Sequence, residues 1–217
     1  MASRPVFEIE RLSFSYPETA VFDNFSASSS SNIVVLRGPS GCGKTTLLNL
    51  LLGFLKPNNV VRLPKAQKPA MIIQEDGLFP WLTSKGNLLL GGRVKWEDAI
   101  AHPLYPMVSE LMERRVYTLS YGQRRKIELF AVLCRRHDLL CLDEPFNFID
   151  PPSRATIAEH LKSGALSDGL VIITSHYEQD IVNLDCDIFE LDGTLPVQSV
   201  KTYSYRSGVR SEQGGVG

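Results

Sequence analysis

Eight consecutive residues constrain this chain most: Gly38-Pro39-Ser40-Gly41-Cys42-Gly43-Lys44-Thr45. Two glycines five positions apart, followed by lysine and a hydroxyl residue, form a loop that cradles phosphates. The pattern carries that meaning only between a buried strand and a helix. Both flanks are present. The run at 33–36 is short and apolar, and 45–55 reads as a helix that starts inside the glycine loop and stops before Pro57. Glycine tolerates backbone conformations that other residues resist, so the loop's N–H groups can wrap closely around an anion. The helix N-terminus behind them also favours negative charge. Lys44 supplies a point charge for the β- and γ-phosphates, and Thr45 offers a hydroxyl to Mg²⁺. Gly38 through Gly43, Lys44, Thr45 and the adjacent Thr46 are therefore the candidate nucleotide contacts, with Pro39, Ser40, Gly41 and Cys42 contributing through the loop backbone.

Four short apolar runs, at 33–36, 70–73, 139–142 and 170–173, are bounded by turn residues. Such runs suit strands buried on both faces of a parallel sheet flanked by helices. A polar residue follows each one: Gly38, Gln74, Asp143 and His176. Ligands bind beyond the carboxyl ends of parallel strands, so these four residues are expected to converge on one edge. At the third of these ends stand two acids. Asp143 suits a magnesium ligand, and Glu144 suits a general base that polarises an attacking water.

Other segments fill in the architecture. The stretch 26–31 reads as a polar turn, and 121–136 as a helix capped by Ser120 with its Arg and Lys residues on the outer face. Between Gln74 and Leu119 the pattern is mainly helical, broken at Gly91–Gly92 and at Pro103 and Pro106. It reads as a helical insertion into the α/β core. The Gly- and Ser-rich end from Ser207 to Gly217 is expected to be frayed.

Composition sets the outer bounds. The 217 residues fit one large domain, and 43% of them are apolar, enough for a full core. A net charge of -1 gives no signal for polyanions, so no nucleic-acid partner is expected. Cys42, Cys134, Cys141 and Cys186 form no CxxC pair and are expected to be reduced thiols outside any metal site. The first ten residues lack the apolar core of a signal peptide. The longest apolar stretch, 47–55, is far short of the roughly 20 residues that span a bilayer. Membrane association is thus expected only through a partner.

Leu119-Ser120-Tyr121-Gly122-Gln123 stands twenty residues before Asp143. It resembles the Leu-Ser-Gly-Gly-Gln signature of ATP-binding cassette proteins, with Tyr121 in place of the first glycine. Other elements of that family follow in order. Tyr16, in Phe14-Ser15-Tyr16-Pro17, resembles the aromatic that stacks on adenine, with Phe14 as the alternative. Gln74 is similar to the Q-loop glutamine that senses Mg²⁺ and water, Asp150 to the D-loop aspartate, and His176 to the switch histidine. The resemblance covers residues 6 to 192.

The resemblance implies a RecA-like P-loop ATPase core with an N-terminal antiparallel β region. A single nucleotide-binding domain is expected over 1–206, with the helical insertion at roughly 75–125 and a flexible tail at 207–217. It further implies ATP and Mg²⁺ as cofactors, with Glu144, His176 and Gln74 catalytic and Thr45, Gln74 and Asp143 on the metal. A second cassette, as a homodimer, would contribute Ser120 and Gly122 across the interface, and Gln123 and Asp150 are further candidate nucleotide contacts.

The stretch from Gln74 to Thr83, with its Phe-Pro-Trp-Leu-Thr, resembles the Q-loop region of nitrate, sulfonate and taurine importers. A transmembrane permease docks there, which would place the protein on the cytoplasmic, inner face of the cell membrane. The other reading of Phe79 and Trp81 is that they pack inside the insertion. A soluble cassette ATPase working without a permease is the alternative function, and a nucleotide-sensing module without turnover a third.

Two departures from the family stand out. Only thirty positions separate Lys44 from Gln74, so the usual hairpin is reduced to 58–68 and the adenine-side β-subdomain is expected to be small. Tyr121 stands where the family's backbone approaches the partner's γ-phosphate. It is expected to narrow that approach and to slow hydrolysis or weaken dimerisation.

Overall fold

The structure, a computed structural model, describes residues 6–75, 77–163, 169–176, 181, 183–206 and 208–213. Strands β1 (Phe7–Tyr16) and β2 (Thr19–Ser29) form an antiparallel pair. A seven-stranded sheet holds β3 (Ile33–Arg37), β4 (Pro69–Ile72), β5 (Leu139–Asp143), β6 (Leu170–Thr174), β7 (Cys186–Glu190), β8 (Lys201–Arg206) and β9 (Val209–Gln213). Their order is β4-β5-β6-β3-β7-β8-β9, parallel from β4 to β7 and antiparallel at the last two. The four apolar runs are β3, β4, β5 and β6, each within one residue of its expected bounds.

Burial explains why these strands are apolar without alternation. Val35, Leu140, Leu142, Val171 and Ile173 face a core built with helices α4 (Tyr121–Leu133) and α5 (Pro151–Lys162) and the insertion. Val34, Leu36, Leu139, Cys141 and Ile172 face the other way, onto α1 (Lys44–Leu51) and the β1–β2 pair. A sheet covered on both sides leaves polar groups only at its ends.

The insertion holds α2 (Ser84–Leu89), α3 (Trp96–Ile100) and several three-residue 3-10 turns. The reduced segment 58–68 does not form a hairpin. It meets β1 through two isolated bridges, with the Ser13 N–H donating to the Asn59 carbonyl at 2.8 Å and Glu10 to Arg62 at 2.9 Å.

Several boundaries differ from expectation. α1 ends at Leu51 and not at 55, because Gly53 takes the left-handed conformation with φ 77°. The N–H groups of Gly53 and Phe54 then close onto the carbonyls of Leu50 and Asn49, the paired bonds of a Schellman stop. α4 likewise stops at Leu133 and not 136. Ser26–Ser29 extend β2 and are not a turn. The tail is corrected over Val209–Gln213, which pair with β8 as β9 and so satisfy backbone groups left open at the sheet edge. Ser207 and residues 214–217 of the expected tail lie outside the described residues.

β7 and β8 escaped the sequence reading because β7 carries a buried acid at its second position. Asp187 is fully buried. It accepts hydrogen bonds from Ser29 Oγ at 2.6 Å, Ser204 Oγ at 2.7 Å and the Arg206 guanidinium at 2.8 Å. One carboxylate thus pins the end of β2 to β7 and β8. Removing one partner of a buried ion pair is costly because the other stays desolvated. Arg206 is partly exposed and recovers some hydration. Asp187→Ala is therefore expected to cost about 3 kcal/mol, the low end of the range for such breaks. A urea titration will show this as a lower midpoint at unchanged slope.

Candidate nucleotide-binding and hydrolysis site

The site lies at the carboxyl ends of the parallel strands, as the polar residues there imply. Register does the assembly: Leu36 of β3 and Asp143 of β5 both pair with Thr174 of β6. The phosphate loop after β3, the two acids at the end of β5 and His176 after β6 therefore start from one level.

The loop leaves β3 through Gly38, with φ 144°. A side chain there would meet the Leu191 carbonyl at 2.6 Å and Cys42 Sγ at 2.8 Å, so glycine is required on steric grounds. Cys42 itself is buried, and it lines the core while its backbone shapes the loop. Lys44 is almost buried, and its ammonium donates to the carbonyls of Gly38 at 2.8 Å and Pro39 at 3.0 Å. It is thereby held inside the curve of the loop, where a phosphate oxygen is the expected acceptor. Tyr16 stands at 43% exposure, edge-on to Phe14 and with its hydroxyl 3.5 Å from that of Thr46. Phe14 is buried, which leaves Tyr16 as the exposed aromatic beside the loop.

Thr45 Oγ1 donates to Asp143 Oδ2 at 3.1 Å. A hydroxyl and a carboxylate side by side are the hard oxygen donors that Mg²⁺ prefers, so the residues present fit the ion. The other Asp143 oxygen accepts from Thr174 Oγ1 at 2.5 Å, and the same hydroxyl receives the Glu144 N–H at 2.8 Å. Thr174 was not among the expected site residues, yet it orients both acids. Glu144 adopts a left-handed backbone with φ 47°, uncommon for a residue with a side chain. Its carboxylate takes the Asn147 amide at 2.6 Å and His176 Nε2 at 2.6 Å. The candidate base and His176 are therefore in direct contact.

Gln74 enters mainly through its backbone. Its carbonyl accepts the Tyr121 hydroxyl at 2.8 Å, and its side chain is exposed. Tyr121 lies over its own cassette. Its ring stacks edge-on against Phe148 at 4.8 Å. Arg125 departs from expectation. It was placed on the outer face of its helix but is 2% exposed, bonded to the carbonyls of Ile73, Asp143 and Glu144.

The signature residues sit at the exposed start of α4. Ser120 Oγ accepts the Gln123 N–H, and the Gln123 side chain accepts the Ser120 N–H, a reciprocal capping box. Gly122 has a second reason to lack a side chain, since a Cβ would lie 2.3 Å from the Phe148 carbonyl. Asp150 is engaged locally. It caps α5 through the Ser153 N–H at 3.0 Å and pairs with Lys126 at 3.0 Å. Burial opposes its charge, but the bonds from Ser153 and Lys126 prevail and pull its carboxyl down to about 2. The four cysteines are free, and burial pushes the thiols of Cys134, Cys141 and Cys186 up to about 12.

Comparison with known proteins agrees with this geometry. The ABC transporter family model matches residues 24–147. The taurine import ATP-binding protein TauB of Pseudomonas aeruginosa is 33% identical, over 82% of this chain and 76% of that protein. The thiamine import ATP-binding protein ThiQ of Brucella suis is 33% identical, over 87% and 86% respectively. Among solved structures, a dimeric ATP-binding cassette in a post-hydrolysis state with ADP and phosphate superposes with a TM-score of 0.72 at 20% identity, covering 92% of this chain and 98% of that one. A nucleotide-free cassette from an ABC transporter gives 0.72 at 19%, covering 94% and 93%. At those identities the structures speak for the fold, and the sequence matches carry the family. The phosphate loop, the paired acids and the family match together place this chain in the ABC transporter family, as an ATP-binding cassette ATPase.

Proposed function

We propose that this protein is the ATP-hydrolysing subunit of an importer, acting as a pair of cassettes docked on a transmembrane permease. The observation that carries the permease reading is the state of Phe79 and Trp81. They are 42% and 64% exposed and pack on each other with ring centroids 5.3 Å apart. They do not fill the insertion. Beside them runs a largely apolar groove of about 200 Å³, lined by Ile73, Leu78, Leu90 and Val132 with Asn87, Glu128 and Arg135 among its polar residues. Adjacent exposed aromatics on a largely apolar groove suit a protein partner, because such anchors dominate interface energetics. The import systems named for the relatives support the direction of transport. Among the described residues no helix is long and apolar enough to cross a membrane. Attachment at the inner, cytoplasmic face is therefore read as coming through the permease, whose docking segment spans Gln74 to Thr83; Asp76 within it lies outside the described residues.

In this reading Lys44 and the loop N–H groups from Gly38 to Thr46 hold the phosphates, and Tyr16 stacks on adenine. Thr45, Asp143 and Gln74 would hold Mg²⁺, which would neutralise phosphate charge. Glu144 takes the proton of the attacking water. His176 and Asn147 each hold one of its carboxylate oxygens and fix its direction. Ser120, Gly122, Gln123 and Asp150 serve the nucleotide held by the second cassette. The domain is read as continuous over 1–206.

Two outcomes test this. Glu144→Gln keeps the shape of the side chain and loses its basicity. Turnover should fall by about 10²–10⁴-fold, the range for general-base removal, with ATP binding intact. With MgATP the variant should elute as a dimer on size exclusion, and a monomer at saturating ATP would count against the shared site. Phe79→Ala/Trp81→Ala should weaken capture by the membrane partner more than tenfold, the effect of losing roughly 2 kcal/mol at an anchor. The isolated subunit should still melt normally and bind ATP. An unfolded variant, or undiminished capture, would show these aromatics to be structural.

A further inference from the structure

We infer that Tyr121 and Arg125 are positioning residues through which α4 joins the docking segment to the hydrolytic carboxylate of its own cassette. The inference rests on the readings of Glu144 as base and of 74–83 as docking segment, and it adds a route between them.

Tyr121 and Arg125 stand four residues apart, on one face of the helix. They hold two consecutive carbonyls. Tyr121 Oη donates to Gln74 O at 2.8 Å, and Arg125 Nη1 to Ile73 O at 2.7 Å. The same guanidinium reaches the other way, where Nη2 donates to Asp143 O at 2.9 Å and Glu144 O at 3.3 Å. Glu128, one turn on, pairs with Arg125 at 3.1 Å and accepts the Gly77 N–H at 2.5 Å. One helix face therefore grips the segment at 73, 74 and 77 and also the backbone of both catalytic acids.

The geometry is that of a rigid link. A guanidinium presents planar donors at fixed angles, so acceptors on two loops keep a fixed relation while all are bonded. Arg125 Nε is buried without a hydrogen-bond partner, so the bonds of Nη1 and Nη2 alone compensate the buried charge, and losing any of them is disfavoured. Glu144 has its N–H fixed by Thr174 and its carbonyl by Arg125, in a left-handed backbone that few residues adopt. A shift of Arg125 therefore moves the Glu144 backbone, and with it the carboxylate that His176 and Asn147 hold. The opposite side of the same first turn packs on the D-loop, through the Tyr121 ring on Phe148 and Gly122 beneath the Phe148 carbonyl. A push on the docking segment thus has two outputs: the aim of Glu144 within the cassette, and the placement of Ser120 and Gly122 toward the second one.

The protein has two tryptophans, and Trp96→Phe leaves Trp81 as the reporter on the docking segment. In a Trp96→Phe/Glu144→Gln background, MgATP should shift the Trp81 emission. Adding Tyr121→Phe or Arg125→Lys should remove at least half of that shift, with ATP affinity within threefold. In the chain with Glu144 intact, Arg125→Lys should lower kcat at least tenfold and Tyr121→Phe severalfold, each with KM for MgATP within threefold. A role in folding alone would instead lower melting temperature and active fraction without this split. Tyr121→Phe removes a single exposed hydroxyl, so it keeps the test available if the arginine variant unfolds. No Trp81 shift in the background, or an equal shift in all variants, overturns the inference. A fall in kcat without loss of the shift also overturns it, since the residues would then act on chemistry alone. Persistent turnover in Glu144→Gln would sink the base reading separately, because the Trp81 signal reports binding.

Discussion

Everything at the site depends on the register of three parallel strands. Thr174 lies level with Leu36 on one side and Asp143 on the other. Shift β5 by one residue and Glu144, not Asp143, stands level with Thr174, so the wrong acid meets the Thr45 and Thr174 hydroxyls. A sheet buried on both faces resists such a shift only through packing, because the alternating apolar side chains of its strands have near-equivalent environments. The Thr174 hydroxyl removes that ambiguity. It donates to the Asp143 carboxylate and accepts the Glu144 N–H, two bonds that only one register satisfies.

The residues that were legible in the sequence are those whose chemistry and order both speak. Gly38 to Thr45, Asp143, Glu144 and His176 each follow an apolar run, and the sheet puts the ends of those runs together. Arg125 was not legible. It sits within Arg124-Arg125-Lys126, a run that reads as a solvated helix face, and only the carbonyls that close over it reveal its burial. Thr174 hid for a related reason: a threonine ending a Val-Ile-Ile strand is an ordinary β-branched residue until its neighbours are known. Asp187 hid β7 because an acid inside a short run argues against a buried strand. Its three donors come from residues far away in sequence, at 29, 204 and 206.

Tyr121 shows what a local departure from a family pattern does within its own chain. Read along the chain, a tyrosine for a glycine looks like an obstruction to a phosphate. In space its hydroxyl finds an acceptor on its own cassette, and its ring covers Phe148. The next residue keeps the glycine because the Phe148 carbonyl occupies the room a Cβ would need. The steric demand at Gly122 is thus already present within one chain, before any second cassette is considered.

The expected nucleotide contacts Ser120 and Asp150 prove to be the N-caps of α4 and α5, and this bears on how the site holds together. Ser120 closes a capping box with Gln123, which orders the exposed first turn of α4 without help from a ligand. Asp150 bonds to Lys126 of α4 while capping α5, so the two helices share one carboxylate. Its pKa is depressed to about 2 from a usual 3.8. A depressed carboxyl contributes stability that is present above its unfolded value and lost as pH falls through the folded one. The α4–α5 link therefore holds across neutral and mildly acidic pH, and salt weakens it because the pair is partly exposed. With Ile73 and Gln74 gripped on one side and Asp150 and Phe148 on the other, α4 is fastened at its first two turns. Displacement of either loop must then carry the helix start with it or break several bonds together.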